Sequence, residues 1–478
     1  MTKSENKEFL RAIFPILVFF LLLVYGLFIH PLVFGEDRLP VEVLILIALS
    51  VNAVFLIRLG YGWDKIQEHI IKKVGESVPV LLILFSVGVL IGSWIVSGTI
   101  PMLIYYGISM IDPDWVYIFA FIVCIIFSLL TGTSWGSAGT IGIVMMGIAQ
   151  IYDADLFITA GAIVGGSFFG DKMSPLSDTT NIASLAADVK LFDHIRSMMY
   201  TTGPAALIAA AIYIFLSPAI QANATTGQIE MTRINETLQG IRSIFNFNVM
   251  LLFPLAFVVW GAVTKKPIVL VLLFSAWFAM VLAFVFQDFK FADIFNSFNK
   301  GFSVEMANSD TGSEVLNILN RGGLYNLIEG IVITILIFAF IGTLDVINAI
   351  DTVIKRMMRK LDSPKKTISA ALTVTALTNL TTSNQYATSF IIGEAFKKKF
   401  NKMKIPRKVL SRTIEDAGTM LENLAPWTPS GIFMASTLGV SAIQYGPYQF
   451  LSLINILIAY FFAFTGIACF YRPNEKNE

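Results

Sequence analysis

The sequence predicts an all-α polytopic membrane protein built from two inverted-topology repeats, each with three spans, a re-entrant helical hairpin, a broken helix and a final span. Three observations lead there. First, 55% of the 478 residues are hydrophobic and only 14% are charged, and the apolar residues fall in uninterrupted runs of about twenty, the length that crosses a hydrocarbon core. Second, Lys and Arg gather in short clusters between those runs, at 3–11, 58–73, 190–196, 265–266, 355–366, 397–412 and 472–476, the pattern that marks a cytoplasmic face. Third, laying one part of the chain over another at a constant offset of 251 residues brings Thr131 onto Thr382, Trp135 onto Tyr386, Gly142 onto Gly393, Asp171 onto Glu422 and Pro175 onto Pro426, without a gap.

The elements follow in order. Spans are expected at 12–31, 40–58 and 77–98, then a hairpin at 115–152, a broken helix at 155–190 and a span at 197–218. After a polar outer linker, 219–247, the pattern runs again: spans at 248–263, 267–286 and 324–348, a hairpin at 367–397, a broken helix at 407–440 and a span at 448–471. The repeats are therefore 1–218 and 248–478. The first apolar run follows Lys3, Lys7 and Arg11 and has no small-residue cleavage site behind it, so it is read as a retained span. Threading the chain through the basic markers places both termini in the cytoplasm and the linker outside. The hairpin at 115–152 then enters from outside, and the one at 367–397 from the cytoplasm.

Composition also excludes. A net charge of +1 with no basic face argues against a nucleic-acid partner. Cys124 and Cys469 lie inside apolar segments, and His30, His69 and His194 at span ends or in loops, which argues against a disulfide framework or a His/Cys metal site. The sequons at Asn223 and Asn235 read as chance matches in a polar linker. Segment 287–323, with Phe289, Phe291, Phe295, Phe298 and Phe302 among polar residues, reads as an amphipathic interfacial helix.

The polar chemistry sits at the interruptions. The hairpin tips read Thr131-Gly-Thr133-Ser134-Trp-Gly-Ser137 and Thr381-Thr382-Ser383-Asn384-Gln-Tyr386. Non-helical backbone survives at membrane depth only where protein or a water-filled cavity supplies its partners, so each tip offers hydroxyl, amide and carbonyl groups to an ion or anion. The plain alternative is that Ser, Thr and Gly merely pack helices closely, and the ladder Gly161, Gly165, Gly166 and Gly170 is read that way. The breaks read Gly170-Asp171-Lys-Met-Ser174-Pro-Leu-Ser-Asp178-Thr-Thr-Asn181 and Glu422-Asn423-Leu-Ala-Pro-Trp-Thr-Pro-Ser-Gly431. Proline interrupts each helix and frees the carbonyls before it, and Asp178 is placed to cap the second half-helix. Asp171 lies 16 residues from Asp155, about 24 Å of helix, and Glu422 lies at a similar depth from Arg407. An unpaired charge there costs about 2.5–3.5 kcal/mol even on insertion scales, so carboxylates retained at that depth usually serve a pathway. The structural alternative is that Lys172 pairs with Asp171 or Asp178 and locks the break.

At these residues the sequence resembles the NhaC family of bacterial sodium/proton antiporters, in the wider ion transporter superfamily. The resemblance covers nearly the whole chain. Its most specific parts are 170–181 and Glu415-Asp-Ala-Gly-Thr-Met-Leu-Glu-Asn-Leu-Ala-Pro-Trp-Thr-Pro429. It implies a multi-pass protein of the bacterial inner membrane with a scaffold domain, a hairpin-bearing transport domain and often a homodimer. It also implies sodium ions and protons as the transported species, with no cofactor. Relatives that exchange malate for lactate bring a cation-coupled organic-acid exchanger in as the alternative. The residues expected to bind the ion or substrate are Thr131, Thr133, Ser134, Asp171, Ser174, Asp178, Thr382, Ser383, Asn384, Glu422 and Asn423. Asp171, Asp178 and Glu422 are expected to couple protons, with Asp171 and Asp178 as sodium ligands. Desolvation favours a neutral carboxyl group and an arriving cation favours the charged one, so one carboxylate can alternate between a proton and a hard cation.

Two other classes fit the sequence less well. Gly132-Thr-Ser134-Trp-Gly136 matches a nucleophile pattern, but no histidine is expected within a span to act as base and the match lies in a hairpin, so an enzyme is not expected. A channel would pass ions without exchange, whereas matching broken helices favour a carrier.

Overall fold

Long apolar runs can satisfy their backbone polar groups in lipid only as helices or closed barrels, and among the described residues such runs are helical. The computed structural model describes residues 3–216, 227–307 and 319–470, with side chains for all of these except 3, 4, 227–233 and 360. In chain order the principal helices are α1 (Lys3–Val24), α2 (Val41–Arg58), α3 (Trp63–Glu76), α4 (Val78–Val96), α5 (Thr99–Met110), α6 (Val116–Thr131), α7 (Ile143–Ile151), α8 (Leu156–Met173), α9 (Asp178–Ala187) and α10 (Leu191–Leu216). There follow α11 (Gly227–Ile244), α12 (Phe253–Val263), α13 (Ile268–Phe286), α14 (Phe291–Asn299), α15 (Ile328–Asp345), α16 (Ala349–Met357), α17 (Pro364–Thr382), α18 (Gln385–Lys402), α19 (Arg407–Ile414), α20 (Pro429–Leu438) and α21 (Phe450–Thr465). Among the described residues, seven helices are long and apolar enough to cross a membrane, or up to nine if two bent pairs each count as one span. Large apolar side chains stay exposed on them, Leu207 at 74%, Phe215 at 82% and Phe274 at 60%, which suits contact with lipid rather than water. The chain is an integral membrane protein.

Several boundaries agree closely with expectation: 40–58 with Val41–Arg58, 77–98 with Val78–Val96, and 267–286 with Ile268–Phe286. Others differ. Segment 58–73, read as a basic cluster, begins the surface helix α3, and the short apolar α5 fills a stretch assigned to no span. Part of the expected polar linker is the helix α11, which bends by 100° into the next apolar segment. The Asn235 sequon lies on it, and the Asn223 sequon falls outside the described residues. Helix α14 exposes Phe291 and Phe295 as an interfacial helix would, but its other face packs on α4 with Ile294 and Ser297 buried. Pro113–Thr131, expected as one arm of a hairpin, is long enough to span by length alone.

The interruptions are where the fold repeats itself locally. Helix α6 ends at Gly132 in the left-handed region (φ 70°), and α17 ends at Ser383 (φ 49°). The next residue caps the following helix in each case: the Thr133 side chain accepts from the Gly136 amide and the Asn384 side chain from the Ala387 amide. Each tip is also tied across its base by a hydroxyl pair, Thr131 with Ser137 at 3.3 Å and Thr382 with Thr388 at 3.0 Å. All of these pairs are separated by the same 251 residues. At Gly132 a β-carbon would meet Leu176 and the Ser177 amide, so the first tip needs glycine for space as well as for conformation.

Candidate functional site

The first break is a hydroxyl cradle around Asp171. Proline at 175 and the extended residue Ser174 end α8, and α9 restarts with Ser177 as its N-cap, whose oxygen accepts from the Thr180 amide. Ser177, not Asp178, is therefore the cap; a serine side chain is short enough to fold back onto the amide while its hydrogen stays free to donate. That hydrogen goes to Asp171 Oδ1 at 2.6 Å, and Ser134 from the hairpin tip donates to Oδ2 at 2.5 Å. The carbonyls freed by the break are answered by Thr180, which donates to those of Asp171 (3.0 Å) and Lys172 (2.9 Å), and by Asn181, which donates to that of Pro175 (3.0 Å). Close approach of α8 to α6 makes this possible: a β-carbon at Gly170 would strike the backbone at Ser128 and Leu129. The glycine ladder is thus helix packing, as its sequence suggests.

The second break uses the same punctuation with different side chains. Thr428 caps α20, its oxygen accepting from the Gly431 amide at 3.2 Å while it donates to the Glu422 carbonyl at 2.5 Å. Glu422 is buried, and Ser430 and Asn379 flank its carboxylate. The halves interlock. Trp135 of the first tip stacks on Phe433 (centroids 4.5 Å apart) and donates to Ser430, both of the second half; within the second half, Trp427 donates to the Leu380 carbonyl at 2.9 Å.

Both tips and both breaks line one cavity of about 490 Å³. Of the residues expected from sequence, Thr131, Thr133, Ser134, Asp171, Asp178, Ser383, Asn384 and Glu422 face it. Three do not. Ser174 donates to the Leu129 carbonyl, Thr382 pairs with Thr388, and Asn423 is buried against Ser452 and Gln449. Their polar groups are used to hold backbone and helix contacts. Asp178, which does not cap the helix, is exposed toward the cavity. Glu76, Lys265 and Lys266 also line it, together with Gln385, Tyr386 and Thr419.

Lys172 corrects another expectation. Its side chain is fully buried and pairs with Asp416, not with Asp171 or Asp178. Asn455 bridges the pair, accepting from Lys172 at 3.1 Å and donating to Asp416 at 3.0 Å; Thr201 donates to the same carboxylate at 2.9 Å, and Arg412 lies 3.8 Å from its other oxygen. The geometry explains the choice, because helix α8 turns Asp171 toward the tip and Lys172 toward α21. His194 lies in the first turn of α10, at a span end as expected, and is fully buried; the helix starts six residues before the expected boundary. Asp416 and its neighbour Glu415 appear in sequence only inside the family motif. Their signal was an acidic pair eight to nine residues, about 12 Å of helix, beyond Arg407.

Interrupted helices whose breaks and tips converge on one cavity inside a bundle of apolar spans define the architecture of a secondary transporter. Comparison with known proteins agrees. The model of the Na+/H+ antiporter family matches residues 166–467, and the chain belongs to that family, which bears out the NhaC resemblance. It is 38% identical to an uncharacterized Na(+)/H(+) antiporter of Haemophilus influenzae, over 96% of both chains. It is 36% identical to the Na(+)/H(+) antiporter NhaC of Alkalihalophilus pseudofirmus, over 93% of both. A malate-2H(+)/Na(+)-lactate antiporter of Bacillus subtilis is 32% identical, over 91% of this chain and 92% of its own.

Proposed function

We propose that this chain is a secondary active sodium/proton antiporter of the bacterial cell membrane and not an enzyme, with its exchange site at the carboxylates of two broken helices. The observation that carries the reading is Asp171, a buried carboxylate held by one hydroxyl from the hairpin tip and one from the helix break, on the wall of a cavity that the second tip and Glu422 share. In one half of the cycle the carboxyl group carries a proton. An arriving sodium ion meets the carboxylate and the oxygen atoms of Ser134 and Ser177, and the proton leaves to the cavity. A hard cation suits oxygen ligands of this kind. Asp178 and Glu422 stand on the same cavity as further acceptors. Within this reading the repeats 1–218 and 248–478 are inverted about the linker 219–247, both termini are cytoplasmic, and a homodimer is the working assembly. Glu76, Lys265 and Lys266 on the cavity wall then belong to the cytoplasmic side, so the conformation described is inward-open.

The test is a vesicle assay with imposed sodium, lithium or potassium gradients and a pH dye, with and without malate. D171N should abolish sodium-driven pH change while the protein stays folded and monodisperse. Exchange at the wild-type rate in D171N would remove Asp171 from the mechanism. The second reading, cation-coupled exchange of a small organic acid, is favoured by the cavity itself: about 490 Å³ lies in the range of small-molecule sites rather than bare ion sites. Transport seen only when malate or lactate is present would select it.

A further inference from the structure

The exchange site above leaves one buried carboxyl group without a use. Glu415 is fully buried; neither of its carboxylate oxygens makes a well-formed hydrogen bond, and the one side chain placed to supply one is the Thr419 hydroxyl. It opens a π-helical turn, Glu415–Thr419, and widened turns of this kind are frequent at functional sites. The same turn ends at Thr419, whose hydroxyl is also buried without a well-formed hydrogen bond and whose residue lines the cavity. Glu415 therefore sits one turn behind the cavity wall. Asp416 beside it is saturated by Lys172, Asn455, Thr201 and Arg412. Lys172 and Arg412, the cations beside Glu415 among the described residues, are both engaged by Asp416.

Burying an ionised carboxylate without hydrogen bonds or a counter-ion costs far more than burying the neutral acid. The charged and titratable groups around it sharpen the point. From α8 it feels Asp171 and Lys172, from its own helix Asp416, with Arg412 one turn back, and from α18 Tyr386. Both cations are engaged by Asp416, and Asp171 is a second negative site. We infer that Glu415 carries a second exchangeable proton, separate from the proton at the Asp171 site, so that each sodium ion is exchanged for two protons. When the cavity changes sides and water reaches Thr419, the Glu415 O–H bond breaks and the proton leaves to water; on return a proton is taken up from the opposite side. No other co-reactant is needed. Movement of two positive charges against one makes the exchange electrogenic.

The inference rests on the antiport reading, and the experiment separates the two. Purified protein in proteoliposomes, with the membrane potential clamped at zero by potassium and valinomycin, is given a fixed sodium gradient, and the opposing pH gradient that stops net flux is found. This balance point is independent of how much protein is active. For two protons per sodium ion the balancing pH gradient is half the sodium gradient in logarithmic units; for one proton the two are equal. The wild type should balance at half, E415Q should move to equality, and E415D should return to half. A wild type that already balances at equality overturns the inference, as does E415Q balancing at half or losing all flux while its gel-filtration profile matches the wild type. Should E415Q fail to fold, the wild-type balance point decides. A wild type with no sodium-dependent flux at all instead overturns the antiport reading itself.

Discussion

The two broken helices share a backbone and differ in what they hold. At the first, Ser177 caps the restarting helix and also donates to Asp171; at the second, Thr428, at the matching position, caps its helix but donates to a carbonyl, and the matching carboxylate Glu422 lies between Ser430 and Asn379. The first break concentrates its hydroxyls on one acid. The second is widened by a π turn and carries, through Asp416, the counter-charge for a lysine of the first. The punctuation is thus kept where helices must stop and start, while the side chains between diverge, the first break gathering hydroxyls on an acid and the second supplying a counter-charge.

The largest effect should come from separating the buried pair that joins the halves. D416N leaves the Lys172 cation buried without its partner, which costs about 3–5 kcal/mol, and should show as a large loss of thermal stability in detergent. K172Q/D416N should recover most of that loss because neither charge is stranded; a double variant as unstable as D416N would show that the network of Asn455 and Thr201, not the ion pair, carries the stability.

An intermediate effect should distinguish the acids. E422Q should slow exchange roughly tenfold, the weight of about 1.4 kcal/mol on a barrier, and keep its sodium dependence, in contrast to the full loss expected of D171N. Equal loss in both would make the two breaks equivalent and break the comparison.

The smallest effect concerns the caps. S177A and T428A should each cost about 1 kcal/mol of stability, read as similar falls in the thermal midpoint. Only S177A should also weaken sodium dependence, because only its hydroxyl reaches the carboxylate.

Most of the helical skeleton was legible because proline, tip hydroxyls and apolar runs are local signals. The breaks at Pro175 and Pro426 and the tips at Thr131 and Thr382 were placed correctly for that reason. Which oxygen meets which hydrogen was not. Ser174 and Asn423 stand among cavity residues in sequence but are turned into backbone and helix contacts by the twist of the half-helices. The partner of Lys172 lies 244 residues away, beyond any local pattern, and nothing in the composition of 415–419 announces a widened turn. Exposure of Asp178 followed from Ser177 taking the cap, a competition between adjacent residues that spacing alone does not decide.

The distance along the chain between Lys172 and Asp416 also sets an order for assembly. Helix α8 enters the membrane long before α19 has been made, at about 5–20 residues per second, so some 244 residues must follow Lys172 before its counter-ion exists, an interval on the order of 10–50 s. Until then the lysine must stay at a wet interface or in the insertion machinery, since an unpaired cation costs about 2.5–3.5 kcal/mol at the centre of the bilayer. The cavity lined by both breaks therefore remains unfinished through most of synthesis, and the nascent protein cannot complete it before the second half arrives.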